Sequence, residues 1–586
     1  MVTTRARVRW QPLVAFVVVV VGCIALWNRR AERLQPVDPV GDSARTANGE
    51  RAPVSSSVIP QGHVYTGVAE EPNDLNPFTT SSGVARRFVM GFTHDTLLDL
   101  DPVTGALRGA LATAYDVDAD GLAMTVTIRT GVTFSDGSPL TVDDVMFTHD
   151  IAKARGVVLG SLADGIRLCK SAARVEGRSD QVRIEFVAPH FAAARAVGES
   201  WIVVSKRWWI ERLRELATRQ RQSLPNFDDP AFGALLAQLT QSPGPGTGPY
   251  SFSEATSERP SWRRGIDLTV RRNDTSWRRG TEGHWNLDGI RVRFLAEPAA
   301  RYAALKKREL DWYSAPELLL QLERDPDLAA DYRRLVYDMP SLGAYLVQWN
   351  VNRPELQDPR VRTALGMLFD RQGISDRLFA GVARPAAAFA KPDQPGYPKD
   401  LAPLPYDPQG ARALLRSTGF DPEQQKPLRV RLMVPSEAPW FRRIGELCAD
   451  AAMQAGVELD LSVLPFKELM ERRDGGDWDG ALILVSMPTF GDPFELFHSS
   501  GGRNAGAYKN EEVDQLLSSQ RLERDPVRRA ELLERCHRLL ANDQPCALLV
   551  HPLVEVLIDR RLEGVEVGPL GLWPERMWMP TEYQRR

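Results

Sequence analysis

Apolar residues recur along this chain in two rhythms. In "AMTVTIR", Ala123 to Arg129, apolar and polar positions alternate with a period of two, the pattern of a half-buried strand. The turn formers "DADG" precede it and "SDG" follows it, because Asp and Gly accept the backbone angles of tight turns. In "VDDVMFTHD" the period lengthens: Val142, Val145 and Met146 fall on one helical face, Thr141 stands at the N-cap, and Asp143 and Asp144 occupy the first turn, where carboxylates favour the positive end of the helix dipole. These two aspartates therefore have a structural role before any catalytic one. "DPRVRTALGMLFDR" repeats the helical rhythm, with Asp358 as cap, Pro359 in the first turn, Val361, Leu365 and Leu368 on the packed face, and Arg360 and Arg362 pointing elsewhere. "DPQGARALLRSTGF" does so again between Asp407 and the stop residue Gly419. Strands and helices mixed in this way predict α/β lobes.

The N-terminus has a different texture. Arg5, Arg7 and Arg9 precede an apolar run from Leu13 to Trp27, shorter than the ~20 residues that comfortably span a bilayer. Val20-Val21-Gly22-Cys23 resembles a lipoprotein processing site with Cys23 as the acylated residue, although the apolar run continues past it. An uncleaved signal anchor and a lipoprotein signal are both consistent with residues 1–33, and each places the rest outside the cytoplasmic membrane. Residues 34–62, rich in Pro, Gly and Ser, read as a flexible tether.

Composition narrows the function. With 586 residues the chain is long enough for several domains, and 43% hydrophobic with 25% charged residues is ordinary globular usage. A formal net charge of -3 offers no basic surface for nucleic acid. Among the five cysteines no C-x-x-C pair occurs; Cys536 and Cys546 are close in sequence but read as buried free thiols. There is no G-x-S-x-G and no H-E-x-x-H, and His498, His537 and His551 are too dispersed to suggest a metal centre. "GPGTGPY" has the glycine content of a phosphate loop without its Lys-Ser/Thr pair, and Pro249 removes an amide, so it reads as a strand-entry turn. No catalytic set and no cofactor site is expected.

"EEPNDLNPF" (Glu70 to Phe78), "GVTFSDGSPLTVDDVMFT" from Gly131, "GTGPYSF" (Gly246 to Phe252), "WNVNRPELQDPRVRTALGMLFDRQGI" (Trp349 to Ile374), "YDPQGARALLRSTGF" from Tyr406 and the segment Asn510 to Pro552 resemble, in order, the blocks of the family-5 extracellular solute-binding proteins, the peptide- and nickel-binding receptors of ABC importers. The resemblance implies an α/β two-lobe periplasmic-binding-protein fold with a hinge, a small accessory domain making a cluster of three domains, and an N-terminal membrane anchor. It implies a first lobe from residues 63–108, 200–343 and 546–586, an accessory domain at 109–199 and a second lobe at 344–545. It further implies a monomeric, non-enzymatic receptor that closes on a peptide or related solute, has ABC permease subunits as partners, and binds no nucleic acid.

By position in the matched blocks, ligand contacts are expected at Ser81, Ser82, Trp312, Tyr313, Trp349, Asn350 and Asn352, and in the loop Ser486 to Pro493 at Ser486, Met487, Thr489, Phe490 and Asp492. Peptide-binding members carry an Asp three residues before the acidic-Pro pair to hold the peptide α-ammonium; here that position is Thr489. A buried ammonium without a carboxylate is costly, so either Asp492 takes the role from a shifted loop or the solute is not an ordinary peptide. Arg308 stands where the family usually has Gly, which predicts a changed turn.

Overall fold

A computed structural model describes residues 63–584, except 81, 102–104, 161–162, 254–256, 259, 279–284, 315–324, 340, 437, 488–490, 569–570 and 574–575. Cys23, the Leu13–Trp27 run, the tether, Ser81, Thr489 and Phe490 lie outside the described residues. Among the described residues no helix is long and apolar enough to cross a membrane.

The largest sheet has six strands in the order Arg384–Pro385, Cys546–His551, Ala344–Trp349, Gly480–Val485, Leu428–Pro435 and Val457–Leu464. Its inner strands are apolar almost throughout because both faces are covered. Tyr345, Val347 and Trp349 point into a core shared with the helices Pro359–Gly366 and Pro439–Ala455, while Leu346 points to the opposite core with Leu517 and Cys536. Adjacent side chains on a strand face opposite sides, so an uninterrupted run serves two cores at once.

A second group of sheets shares another core. Val64–Val68 runs parallel to Gly289–Arg293, which pairs with Asp267–Arg272; beside them Val554–Asp559 lies between Trp312–Tyr313 and Tyr332–Tyr337. Tyr65, Phe88, Tyr250, Ile290, Ile558 and Met577 fill the space between them. A third, antiparallel sheet of four strands, Ala112–Val117, Ala123–Ile128, Gln181–Phe186 and Cys169–Arg174, packs with the helix Val142–Lys153 on its own core of Met124, Val126, Val145, Ile184 and Trp201. The expected cap is present: Asp144 accepts from the Thr141 amide at 2.8 Å and the Thr141 hydroxyl at 2.7 Å, and also from the Lys206 amide at 2.9 Å. Asp143 pairs with Arg174.

Two stretches carry the chain between the first and second groups. Tyr337 pairs with Val554 on one side, and Tyr345 pairs with Val550 on the other, so the chain crosses between the lobes once after Tyr337 and again before Val554. The return falls at Pro552 and Leu553, not at residue 546 as expected, because Cys546–His551 pairs within the six-stranded sheet. His551 fastens this crossing, its Nδ1 lying 3.0 Å from the Gly343 carbonyl and its Nε2 3.0 Å from that of Ala388.

Two local expectations change. Arg308 keeps a left-handed backbone with φ of 52°, the conformation glycine would adopt, so the turn is conserved in shape. Its strain is offset by ion pairs to Asp331 at 2.7 Å and to the fully buried Asp559 at 2.6 Å. Arg362 does not point to solvent but is 3% exposed and bonded to four carbonyls. Cys536 and Cys546 are free and buried, as the composition suggested.

The crossing strand also carries a buried acid. Burial pushes the Glu555 carboxyl up to about 7, against the opposing charge of Arg334, whose Nε lies 2.5 Å away. The folded value exceeds the unfolded one of about 4.3. The contribution to stability is thus fully present below that unfolded value and is lost as pH rises through about 7. Urea midpoints taken at about pH 4 and about pH 8, on either side of the interval between the two values, should show less loss with pH in Glu555→Gln than in the wild type.

Candidate functional site

The antiparallel four-stranded domain meets the helices that carry Arg521 and Arg529 along one flank. That flank is built from the segment His190 to Arg195. The Phe191 amide donates to the Arg521 carbonyl at 2.8 Å, and the Arg529 guanidinium lies 3.5 Å above the Phe191 ring, a desolvated cation–π contact. Arg524 Nη1 donates to the Ala119 carbonyl at 2.9 Å. Between these surfaces lies a cavity of about 440 Å³ lined by Leu107, Phe191, Arg195, Met487, Arg529 and His537, within the size range of small-molecule sites. Burial pushes the Arg529 guanidinium down to about 10, with Asp492 opposing, so it remains a cation near neutral pH. Burial, joined by the His551 charge, lowers His537 to about 4, so this imidazole is neutral, and its buried Nδ1 has no hydrogen-bond partner among the described residues.

Next to this cavity sits a charged cluster centred on Asp492, which is 4% exposed. Its carboxylate accepts from Gln520 Nε2 at 2.7 Å, Arg521 Nε at 2.6 Å and the Phe494 amide at 3.0 Å, and His190 Nε2 lies 3.5 Å away. Burial alone raises its proton affinity, but the His190 hydrogen bond, the Arg521 charge and the Phe494 amide outweigh it and hold the carboxyl below its ordinary value. Both oxygens of Asp492 are thus already engaged by protein donors in this arrangement.

The remaining expected residues separate into two groups. Met487 lines the cavity, its amide bonded to the Ser341 carbonyl in the crossing. Ser486 is exposed, and its carbonyl accepts from Arg503. Trp312 lies under Arg87 in the first lobe, stacked on Tyr65 at 6.0 Å between ring centres. Tyr313, the next residue, points to the other face and is buried with Leu305 and Tyr332. Ser82 caps a short helix, Gly83–Phe88, accepting from the Ala85 amide.

Trp349, Asn350 and Asn352 are not gathered with these groups. Trp349 is paired with Gly480 at the end of its strand remote from the crossing, roughly 17 Å from Ala344 at about 3.3 Å per residue. It is 1% exposed in the second lobe's core, and Asn350 is tied to the Trp478 carbonyl while accepting from the Asn352 amide. These are packing and turn positions. Trp349→Phe is expected to lower stability by about 1–3 kcal/mol while leaving solute affinity unchanged, which a paired denaturation and titration experiment would check.

Phe191, Arg195, Arg529 and Arg87 were not expected at the site. Each sits in a stretch whose pattern is that of an ordinary amphipathic element, and only the contact between separate parts of the chain gives it a role.

Comparison with known proteins agrees with this architecture. The model for bacterial extracellular solute-binding proteins, family 5, matches residues 106–507. The oligopeptide-binding protein AppA of Bacillus subtilis is 23% identical over 472 residues, covering 77% of this chain and 79% of AppA. Protein XP55 of Streptomyces lividans is 26% identical over 569 residues, covering 91% of this chain and 93% of its own length. The structure of AppA in complex with a nonapeptide superposes with a TM-score of 0.74 at 21% identity, covering 89% of this chain and 100% of AppA. With more than half its length matched by the family model and two lobes joined by a double crossing, the chain belongs to the bacterial extracellular solute-binding proteins, family 5.

Proposed function

We propose that this protein is the extracytoplasmic receptor of an ABC importer, capturing a peptide or a related small solute between its lobes and presenting it to the permease. The observation that carries this reading is the cavity of about 440 Å³ bounded by separate parts of the chain and closed by the Phe191–Arg529 and His190–Asp492 contacts. AppA, an oligopeptide-binding protein, supports the peptide class. Solute stabilises the closed arrangement because it touches both walls only there, and the permease reads that population shift. The receptor is monomeric and held at the outer face of the cytoplasmic membrane by the Leu13–Trp27 segment, through its apolar run or through Cys23.

The solute does not rely on a free α-ammonium. By the family resemblance Thr489 stands where a peptide-binding member would carry an Asp, and Asp492 is already engaged by Gln520 and Arg521. Family membership and the absence of a nucleophile–base set from the motifs assign binding, not catalysis, to this cleft.

Thermal denaturation of the full-length protein with peptides, N-acetylated peptides, sugars and metal chelates tests the proposal, because a ligand of the folded state raises the melting temperature by mass action. Stabilisation by peptides that survives N-acetylation supports it. Stabilisation abolished by acetylation would restore an ammonium site, and no stabilisation by any class would refute the receptor reading.

A further inference from the structure

The first lobe contains a second cavity, separate from the one flanked by Phe191. It measures about 240 Å³ and lies between the strand Val64–Val68 and the helix Gly83–Phe88. Its walls are Phe88, Phe92, Val292, Leu572 and Met577, with the Tyr65 and Trp312 rings at one side. At about 30 Å³ per water molecule in the liquid, the space would take about eight waters, but its lining offers them few partners, and apolar cavities of this kind favour apolar guests. Gly67 makes the arrangement possible: a Cβ there would stand 2.0 Å from the Trp312 ring.

The polar groups beside this cavity are of one kind. Trp312 Nε1, a donor only, is buried and has no hydrogen-bond partner among the described residues. Arg87 is exposed, lies 5.8 Å from the Trp312 ring centre, and forms no ion pair with any described residue. Its charge also acts on Tyr65 and Tyr337, which places it over the same opening. The nearest buried acid, Asp311, is occupied by the Thr66 amide at 2.7 Å and His63 at 3.0 Å. Donors without acceptors at the edge of an apolar cavity call for an acceptor-rich anion attached to an apolar body.

We infer that this cavity is a specificity subsite for a solute bearing an apolar group next to a carboxylate, with the apolar group enclosed by Phe88, Phe92 and Met577 and the carboxylate held by Arg87 and Trp312 Nε1. The inference rests on the receptor reading above and names the chemistry that receptor selects. A guanidinium offers paired donors in the plane a carboxylate needs.

Titration of the full-length protein with N-acetyl-leucine and N-acetyl-phenylalanine, and with the corresponding neutral amides, tests this subsite. The acids should bind about tenfold to a hundredfold more tightly than the amides, the range contributed by a hydrogen bond to a charged group. Arg87→Gln, at an exposed position, should bring the acids down to the level of the amides and leave the amides unchanged. Trp312→Phe should weaken the acids in the same direction. Equal binding of acid and amide, indifferent to Arg87→Gln, would overturn the subsite while leaving the receptor reading intact. Failure of both probe classes, with other solutes still stabilising the protein, would likewise overturn the subsite alone. Failure of every solute class would remove the receptor reading with it.

Discussion

Replacing Asp492 by alanine is expected to lower the unfolding free energy by about 3–5 kcal/mol, the cost of removing one partner from a buried ion pair. The carboxylate is 2% exposed and neutralises Arg521, while its field also reaches Arg529. Without it those cations keep their desolvation penalty, and Arg521 is left with Glu495 at 3.3 Å as its counter-charge. Gln520 would lose its acceptor as well. Asp492→Asn retains the shape and one acceptor oxygen and should cost less than alanine. Urea denaturation of the two variants beside the wild type gives the comparison; equal stability of alanine variant and wild type would show that the cluster is solvated in solution. The wild type should also respond to acid. The folded carboxyl is held below the unfolded value of about 3.9, so its contribution is present above that value and is lost as pH falls through the folded one. The Asp492→Asn variant lacks this decline. Because His190 belongs to the domain flanking the cleft and Arg521 to the second lobe, the variant should also loosen the closed arrangement.

Arg362→Ala is the second large effect, again about 3–5 kcal/mol, and its origin differs. Arg362 forms no short ion pair; it donates to the carbonyls of Leu356 at 2.7 Å, Gln357 at 2.8 Å, Gln544 at 3.0 Å and Asp543 at 3.1 Å. The last two lie at the end of the helix Pro526–Asp543, where aligned peptide dipoles leave carbonyls unsatisfied and favour a cation. Alanine would strand several buried acceptors at once, each costing about 1–3 kcal/mol before water enters. Lysine restores the charge but not the planar fork and should recover only part of the loss. Denaturant midpoints rank the three proteins, and an alanine variant within about 1 kcal/mol of the wild type would mean that water replaces the guanidinium at little cost.

Part of this molecule was readable from short stretches. The helices at Val142–Lys153, Pro359–Gly366 and Pro408–Ser417 begin where their Thr or Asp caps stand, because a cap bonds amides two or three residues away. Gly419, with φ of 94°, ends the last of these for an equally local reason. The strand Ala123–Ile128 shows its period of two directly. The order of the family's blocks announced two lobes with a hinge, since each block is one such element with its own turn chemistry.

The site was much less legible. Trp349 and Trp312 look alike in sequence, each an aromatic residue in a short apolar strand. One is enclosed by two covering helices, and the other lines a cavity below an arginine. Arg362 and Arg529 both read as polar positions on amphipathic helices, yet their burial depends on a carbonyl cluster and on a phenylalanine ring far away along the chain. Asp492 read as a candidate ligand until its partners at Gln520, Arg521 and His190 were visible.

By itself, then, the sequence determined the family, the α/β alternation and the ends of individual helices, because periodicity, capping and turn preference act over a few residues. Only the tertiary structure decided where the lobes cross, which charges are already paired, and which apolar surfaces face space rather than one another. Those properties depend on side chains brought together across long separations, and no local pattern encodes that meeting.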